Sequence, residues 1–436
     1  MKPKFQRQLR ILSFFPFLVL GFGWMYSYAI HSNLFWIGVS ILLAGLFLVF
    51  RIGKKGTNLS ILISFIVFGY LSGEGITYLI SPAKGVSGFN QECTEFDPIR
   101  GYRWLGNDIR NFKTHQNEVV YDNHFYPNNQ GWIMKQEYSH KKKDSAKTRW
   151  MLLGDSFVAG IMLETNLPNR AQQILNDSLG NGEVELYSFG VDGGGIMNWH
   201  NVFFKEIIPN YEFDGLIIAP YADNLYRDFM VMLIKENGFM GRIDAVDWSE
   251  GDSILREDFK ALKPYDNIYT DVEIDQLLLN HSKEFDWPLK KNLLRLMKKI
   301  KSPRKLNLVY EVSTIKDLNR KMGTQKSKQL DEIITWCKLQ NKELVLASIP
   351  SLVELKNDLQ GKQNQHRKEM GIIAAEYQID YLDGYTAYKD LNEEEVNAHW
   401  LRFDAHWNQK GSDRYAEYFA KYLMNHRKNE SVNEFK

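Results

Sequence analysis

The sequence predicts an α/β fold in which a central parallel sheet is covered on both faces by helices, carried behind three transmembrane helices. Three observations predict it. Short apolar runs at 150–153, 184–189, 216–221, 344–349 and 379–382 alternate with helical stretches at 169–179, 197–208, 326–339, 365–377 and 411–422. Such alternation implies parallel strands with crossover helices on both sides. The first 82 residues hold three long apolar runs that are almost free of charge. The first of the five strand-like runs stops at Gly154-Asp155-Ser156. That places a hydroxyl at the carboxyl edge of the sheet, where open α/β folds bind their ligands.

The N-terminal runs come first. Residues 11–30 form an uncharged run of 20, residues 34–50 one of 17, and residues 59–80 a third interrupted only by Glu74. Spanning the hydrocarbon takes about 20 residues at helical rise, so each run can cross a bilayer. A signal peptide would explain the first run but neither of the others. Lys2, Lys4, Arg7 and Arg10 precede the first run, and Arg51, Lys54 and Lys55 separate the second from the third, whereas the loop His31-Ser32-Asn33 carries no Lys or Arg. The positive-inside rule puts those basic flanks in the cytoplasm, and three crossings then put everything beyond Pro82 on the extracytoplasmic side. The expectation is a multi-pass cell-membrane protein with its remaining domains outside.

Residues 83–147 contain no long periodic segment and mix aromatics with turn formers, as in Phe125-Tyr126-Pro127-Asn128-Asn129-Gln130-Gly131. They read as an extended lead-in packed on the domain that follows, which spans 148–436. Within that domain the alternation breaks at about 229–325. A turn-rich stretch at 247–252 and a basic helical run at 289–301 make this an insertion longer than a crossover needs. A lid or a partner surface is expected there.

Composition excludes several classes. With 54 basic and 53 acidic residues the net charge is +1, so no bulk field draws the chain to nucleic acid. The ten histidines form no His-Glu-x-x-His pattern and there are no cysteine pairs, so neither a metal nor a cofactor is expected. Cys93 and Cys337 are separated by 243 intervening residues and need not meet; Cys337 lies in an amphipathic helical pattern and reads as a small core residue. Gly193-Gly194-Gly195 lacks the Lys-Ser/Thr ending of a phosphate loop. His399 reads as a satisfied loop histidine. Part of the 14% aromatic content belongs to the apolar N-terminus, and part suits a surface on which sugar rings stack.

Gly154-Asp155-Ser156 alone is a weak signal, expected by chance in about one chain of this length in ten. Its companions decide the matter. The stretch from Leu152 through Gly154-Asp155-Ser156 to Gly160 resembles the first block of the SGNH, or GDSL-type, hydrolases. Ser188-Phe189-Gly190-Val191-Asp192-Gly193 resembles the second block, and Asp404-Ala405-His406-Trp407-Asn408 resembles the last, in the Asp-x-His form of polysaccharide O-acetyltransferase relatives. The resemblance covers roughly residues 148–425. It implies a three-layer α/β/α domain and an acyl-ester enzyme working through an acyl-serine, with Ser156 as nucleophile, His406 as base and Asp404 holding the imidazole. It also implies an oxyanion hole from the backbone N–H groups of Ser156 and Gly190 and a side-chain amide. Here the pattern departs from the family: after the strand at 215–221 the usual Asn-Asp is reversed to Asp223-Asn224. An amide N–H stabilises an oxyanion and a carboxylate repels it, so Asn224 is the expected donor, with Asp223 the alternative that weakens the site.

Two function classes follow. One is an esterase or O-acetyltransferase acting on an extracytoplasmic glycan. The other is a catalytically silent binding module in a polysaccharide assembly or export complex.

Overall fold

The computed structural model describes residues 85–115, 118–142, 147–235, 238–243, 263–265, 268–280 and 312–433. The three apolar runs between 11 and 80, the turn-rich stretch at 247–252 and the basic run at 289–301 lie outside the described residues. No described helix is long and apolar enough to cross a membrane.

The lead-in is more regular than its sequence suggests. Strands β1 (Ser87–Phe89), β2 (Thr94–Glu95), β3 (Arg103–Trp104), β4 (Ile109–His115) and β5 (Glu118–Phe125) form a three-stranded antiparallel sheet, β1-β4-β5, and a separate β2-β3 pair. Alternation is concealed because asparagines occupy inward positions: Asn111 and Asn123 are buried, and each donates an amide N–H to the Ile161 carbonyl at 2.9 Å. Amides anchored in this way sit inside a core yet read as loop in a hydropathy pattern. The segment shares one hydrophobic core with the α/β domain, to which it contributes Phe89, Trp104, Phe125 and Trp132.

From residue 148 the chain follows the expected alternation. Strand β6 (Thr148–Gly154) leads into the short helix α1 (Ser156–Ala159) and then α2 (Leu167–Leu179). Strand β7 (Val184–Gly190) follows, then α3 (Ile196–Val202), which runs on through a π-turn at Phe203–Ile207, and β8 (Gly215–Ala219). In the insertion, β9 (Phe229–Leu233), β10 (Gly238–Ile243) and β11 (Lys263–Tyr265) form an antiparallel sheet, followed by α4 (Asp271–Asn280) and α5 (Ile315–Met322). The α/β pattern resumes with α6 (Thr324–Leu339), β12 (Glu343–Ala347), α7 (Leu352–Leu359), α8 (Gln365–Tyr377) and β13 (Asp380–Leu382), and ends with α9 (Glu393–Asn397) and α10 (Gln409–Asn433).

The central sheet has the order β13-β12-β8-β6-β7, with every pairing parallel. Strands β6 and β8 are wholly apolar over Trp150–Leu153 and Leu216–Ala219, and these residues are buried, as strands covered on both faces must be. The chain runs outward from β6 to β7 and then back across β6 to β8. Right-handed crossovers therefore place α2 on one face and α3 on the other. Between β6 and β8 the strand order reverses, and the carboxyl ends of these strands open the crevice characteristic of doubly wound sheets. Ser156 follows β6 at that point.

Candidate active site

The turn after β6 is built to hold Ser156 still. Asp155 is 0% exposed, and its Oδ1 accepts the Phe157 N–H at 3.0 Å, capping the first turn of α1. Trp199 donates its indole N–H to the Gly154 carbonyl at 2.8 Å, fixing the end of β6 from the side of α3. Gly190, opposite Gly154 in the ladder, lets α1 pass close, for a Cβ there would lie 2.5 Å from the Ala159 nitrogen.

The C-terminal loop brings the other two groups. Ser156 Oγ and His406 Nε2 are 2.7 Å apart, and His406 Nδ1 is hydrogen-bonded to Asp404 Oδ1, which also accepts the His406 backbone N–H at 3.0 Å. Spacing of two thus lets one carboxylate oxygen hold both the backbone and the ring of the histidine. Phe157 packs on the imidazole with ring centroids 4.7 Å apart, and buried Trp407 meets the edge of Phe157 at 4.8 Å. Tyr221 stacks on the same phenyl ring at 4.3 Å. His399 lies apart from this chain of bonds, with its Nδ1 2.6 Å from the Glu395 carbonyl.

Electrostatics favour a charged acid and a basic histidine. Burial would raise the Asp404 carboxyl, but the His406 hydrogen bond and charge, with those of Lys113, outweigh it and hold Asp404 below the usual carboxylate range. Burial would lower His406; the hydrogen bond and charge of Asp404, with the charges of Asp192 and Asp155, raise it above its ordinary value instead. Asp192 is itself raised, by burial first and then by the neighbouring Asp155 and Asp404 charges, with His406 and Arg227 opposing.

The expected oxyanion donors are placed differently from their sequence reading. Asn224 is fully buried, and both of its amide hydrogens are committed, one to Asp155 Oδ2 at 2.9 Å and one to the Gly194 carbonyl at 3.1 Å. Its Oδ1 accepts the Tyr221 N–H, which fixes the amide orientation. Asn224 is therefore a brace between two loops and has no N–H left for a substrate oxyanion. Asp223, the alternative, faces outward and pairs with Arg227 at 2.6 Å. Gly190 serves close packing inside the ladder. Three residues further on, Gly193 has φ +72° and the Gly194 N–H bonds the Val191 carbonyl at 2.8 Å, a type II turn whose central peptide N–H points out of the hydrogen-bonded ring. Neither the Ser156 nor the Gly193 amide donates to an acceptor among the described residues. Arg227 Nη1 bridges Asp155 Oδ2 at 3.0 Å and the Gly194 carbonyl at 3.2 Å, so the turn is tied directly to the residue preceding Ser156.

Sequence reasoning missed Lys113 and Arg227, and it named Asp192 and Gly193 only as part of the second block, with Gly190 as the donor. Gly193 had a signal, a glycine at the third place of a turn after a strand. The pairs of Lys113 with Asp404 and of Arg227 with Asp155 had none, since both join distant segments.

No family model and no curated protein matches the chain. Among solved structures it is similar to a putative GDSL-like lipase from Parabacteroides merdae, with 10% identity over 63% of this chain and 94% of that one and a TM-score of 0.34. It is similar also to an acetylxylan esterase from Geobacillus stearothermophilus, with 10% identity, 64% and 95% covered and a TM-score of 0.33. A lipase/acylhydrolase from Enterococcus faecalis gives 10% identity, 64% and 96% covered and a TM-score of 0.30. Likeness at this level carries no weight for activity, which must be read from the geometry itself. That geometry defines a class, an α/β protein with a Ser-His-Asp arrangement at the switch point of its sheet.

Proposed function

We propose that the protein is a serine-dependent acyl-ester enzyme. The observation that carries this reading is the unbroken line from Ser156 Oγ through His406 to Asp404. Ser156 attacks the ester carbonyl as His406 Nε2 takes its proton; Asp404 holds the Nδ1–H tautomer and stabilises the imidazolium. The amides of Ser156 and Gly193 face the developing oxyanion. His406 returns the proton to the leaving alcohol, leaving an acyl-serine that a second oxygen nucleophile attacks.

The substrate class we favour is an acylated extracytoplasmic glycan, with the acyl group passed to a sugar hydroxyl rather than to water. Support comes from the Asp-x-His form of the last block, from the three apolar runs that would hold the domain at a membrane, and from the insertion. Met230 of β9 packs 3.2 Å from the position of a Gly193 Cβ, and Arg242 of β10 donates to the Gly193 carbonyl at 3.1 Å. An insertion so close to the turn is suited to shielding an acyl-enzyme from water, which transfer needs and hydrolysis does not. The second reading, a silent binding module in a polysaccharide assembly or export complex, draws on the engaged Asn224 amide.

A fluorophosphonate probe separates the two readings. Covalent labelling at Ser156 is expected, and a chain unlabelled at any pH would be the silent module. Incubation with an activated acetyl donor, with and without oligosaccharide acceptors, then separates transfer from hydrolysis. Acetate released at one rate whatever the acceptor would leave an esterase.

A further inference from the structure

Three contacts join the end of the β4–β5 hairpin to the loop that carries the acid and the base. Lys113 Nζ pairs with Asp404 Oδ2, His115 packs on Phe403 with ring centroids 4.6 Å apart, and Glu118 accepts from Arg402 Nη1 at 2.6 Å. The register of the hairpin breaks between Lys113 and Thr114: Lys113 lies opposite Tyr121 and Thr114 opposite Val119, so β5 holds one extra residue there. A bulge re-aims the side chains beside it, and such bulges concentrate next to active sites. Phe403, just before Asp404, has φ +65°, a strained position for a bulky residue that persists only where its surroundings hold it.

We infer that Lys113 is a positioning residue for the serine site, a cation supplied by the lead-in hairpin that fixes Asp404 and limits how basic His406 becomes. The inference rests on the reading of His406 as general base. Three carboxylates act on the imidazole: Asp404 in its own loop, Asp192 in the turn after β7 and Asp155 after β6. Asp155 is offset by Arg227, and Asp192 has no comparable partner among the described residues. Asp404 has Oδ1 on His406 and Oδ2 on Lys113. Its side chain is 10% exposed and that of Lys113 is 26%, so the pair is only partly screened by water. Without the ammonium the full carboxylate charge falls on the imidazole, and a base that stays protonated at neutral pH cannot take the serine proton. Tyr221 and His115 also border the loop but supply no fixed cation.

The test uses the full chain and two readouts. The first is the pH dependence of fluorophosphonate labelling at Ser156. The second is the pH dependence of carbethoxylation of His406 by diethyl pyrocarbonate, followed by peptide mass; this reagent attacks only the neutral imidazole and needs no turnover. In Lys113→Met both acid limbs should move to higher pH by about half a unit to one unit, and Lys113→Arg should restore them. A Lys113→Met protein with lower thermal stability but unmoved limbs would make the pair merely structural and overturn the inference. If His406 shifts as expected while the wild-type chain is never labelled at Ser156, the charge relationship stands and the proposed activity falls.

Discussion

Asn224 donates one amide hydrogen to Asp155 at 2.9 Å and the other to the Gly194 carbonyl at 3.1 Å, so one buried side chain ties the turn after β7 to the residue that precedes Ser156. The brace is electrostatically tuned. Asp155 has no exposure to water, and its Oδ2 takes donors from both Asn224 and Arg227.

This arrangement predicts that Asn224→Ala acts on stability as well as rate. Removing the amide leaves the part-buried Tyr221 N–H without its acceptor and leaves the Gly194 carbonyl and Asp155 Oδ2 with Arg227 as their remaining donor, at a cost of about 1–3 kcal/mol. Asn224→Asp should be worse, because it sets a second carboxylate against Asp155. Arg227→Met, which removes the cation from a buried charge, should cost on the order of 3 kcal/mol. Urea denaturation checks all three, and an Asn224→Ala protein with wild-type stability would show that the brace is dispensable.

Ser156→Ala and His406→Ala are each expected to lower ester turnover by a factor on the order of 10^6, because nucleophile and base act as a unit. Asp404→Asn should lose on the order of 10^4, since an amide favours the wrong imidazole tautomer. Initial rates on an activated acetyl ester measure this, with circular dichroism to show that each variant is folded. Wild-type rates from Ser156→Ala would move the nucleophile elsewhere.

Gly193 supplies a separate test of the oxyanion site. Its φ of +72° costs a residue with a Cβ about 1–2 kcal/mol, and Met230 would have to yield to the added methyl. Gly193→Ala should therefore tilt the turn and lower kcat by about tenfold or more, with a smaller change in KM, because the donor acts on charge that develops only in the transition state. An unchanged kcat would remove Gly193 N–H from the oxyanion site.

How much of this was legible in the sequence depends on the range of the interactions involved. Strands β6, β8 and β12 were readable from the apolar stretches that a strand buried on both faces requires, and Ser156, Asp404 and His406 because each sits in a short local block, although Ser156 and His406 meet across 250 residues. The β4–β5 hairpin was not, since Asn111 and Asn123 place amides where alternation demands apolar side chains. Asn224 shows a different limit. Its identity and position were plain, but an amide has two hydrogens, and the sequence cannot say that Asp155 and Gly194 take both. Lys113 reaches a partner 291 residues away through a bulge with no local signature.

The elevated His406 gives activity and local stability opposite pH slopes. Its folded-state pKa lies above the ordinary value, so its contribution to stability is complete below the unfolded pKa of about 6.5 and is lost as pH rises through the folded value. The neutral imidazole needed as base forms over that same rise. Labelling of Ser156 should therefore reach half its maximum above pH 6.5 and stay level beyond. A half-point well below pH 6.5 would show that His406 is not the base, or not paired as the structure has it.

His366 predicts the behaviour at the acid end. Burial, with the nearby Lys321 charge, pushes its pKa down to about 3, while its Nδ1 lies 2.9 Å from the Tyr385 hydroxyl and its Nε2 has no partner among the described residues. The sign is opposite to that of His406. Above pH 6.5 the residue is neutral in both folded and unfolded chains and costs nothing; as pH falls from 6.5 toward 3 only the unfolded chain gains the proton. Stability should therefore drop across that window, by a few kcal/mol, on the order of the shift times 1.4 kcal/mol per unit. His366→Gln can keep a hydrogen bond to Tyr385 without a titrating group. Its urea midpoint should fall less than that of the wild-type chain between pH 7 and pH 4. Parallel losses in the two proteins would mean that other groups, and not the buried imidazole, govern unfolding in acid.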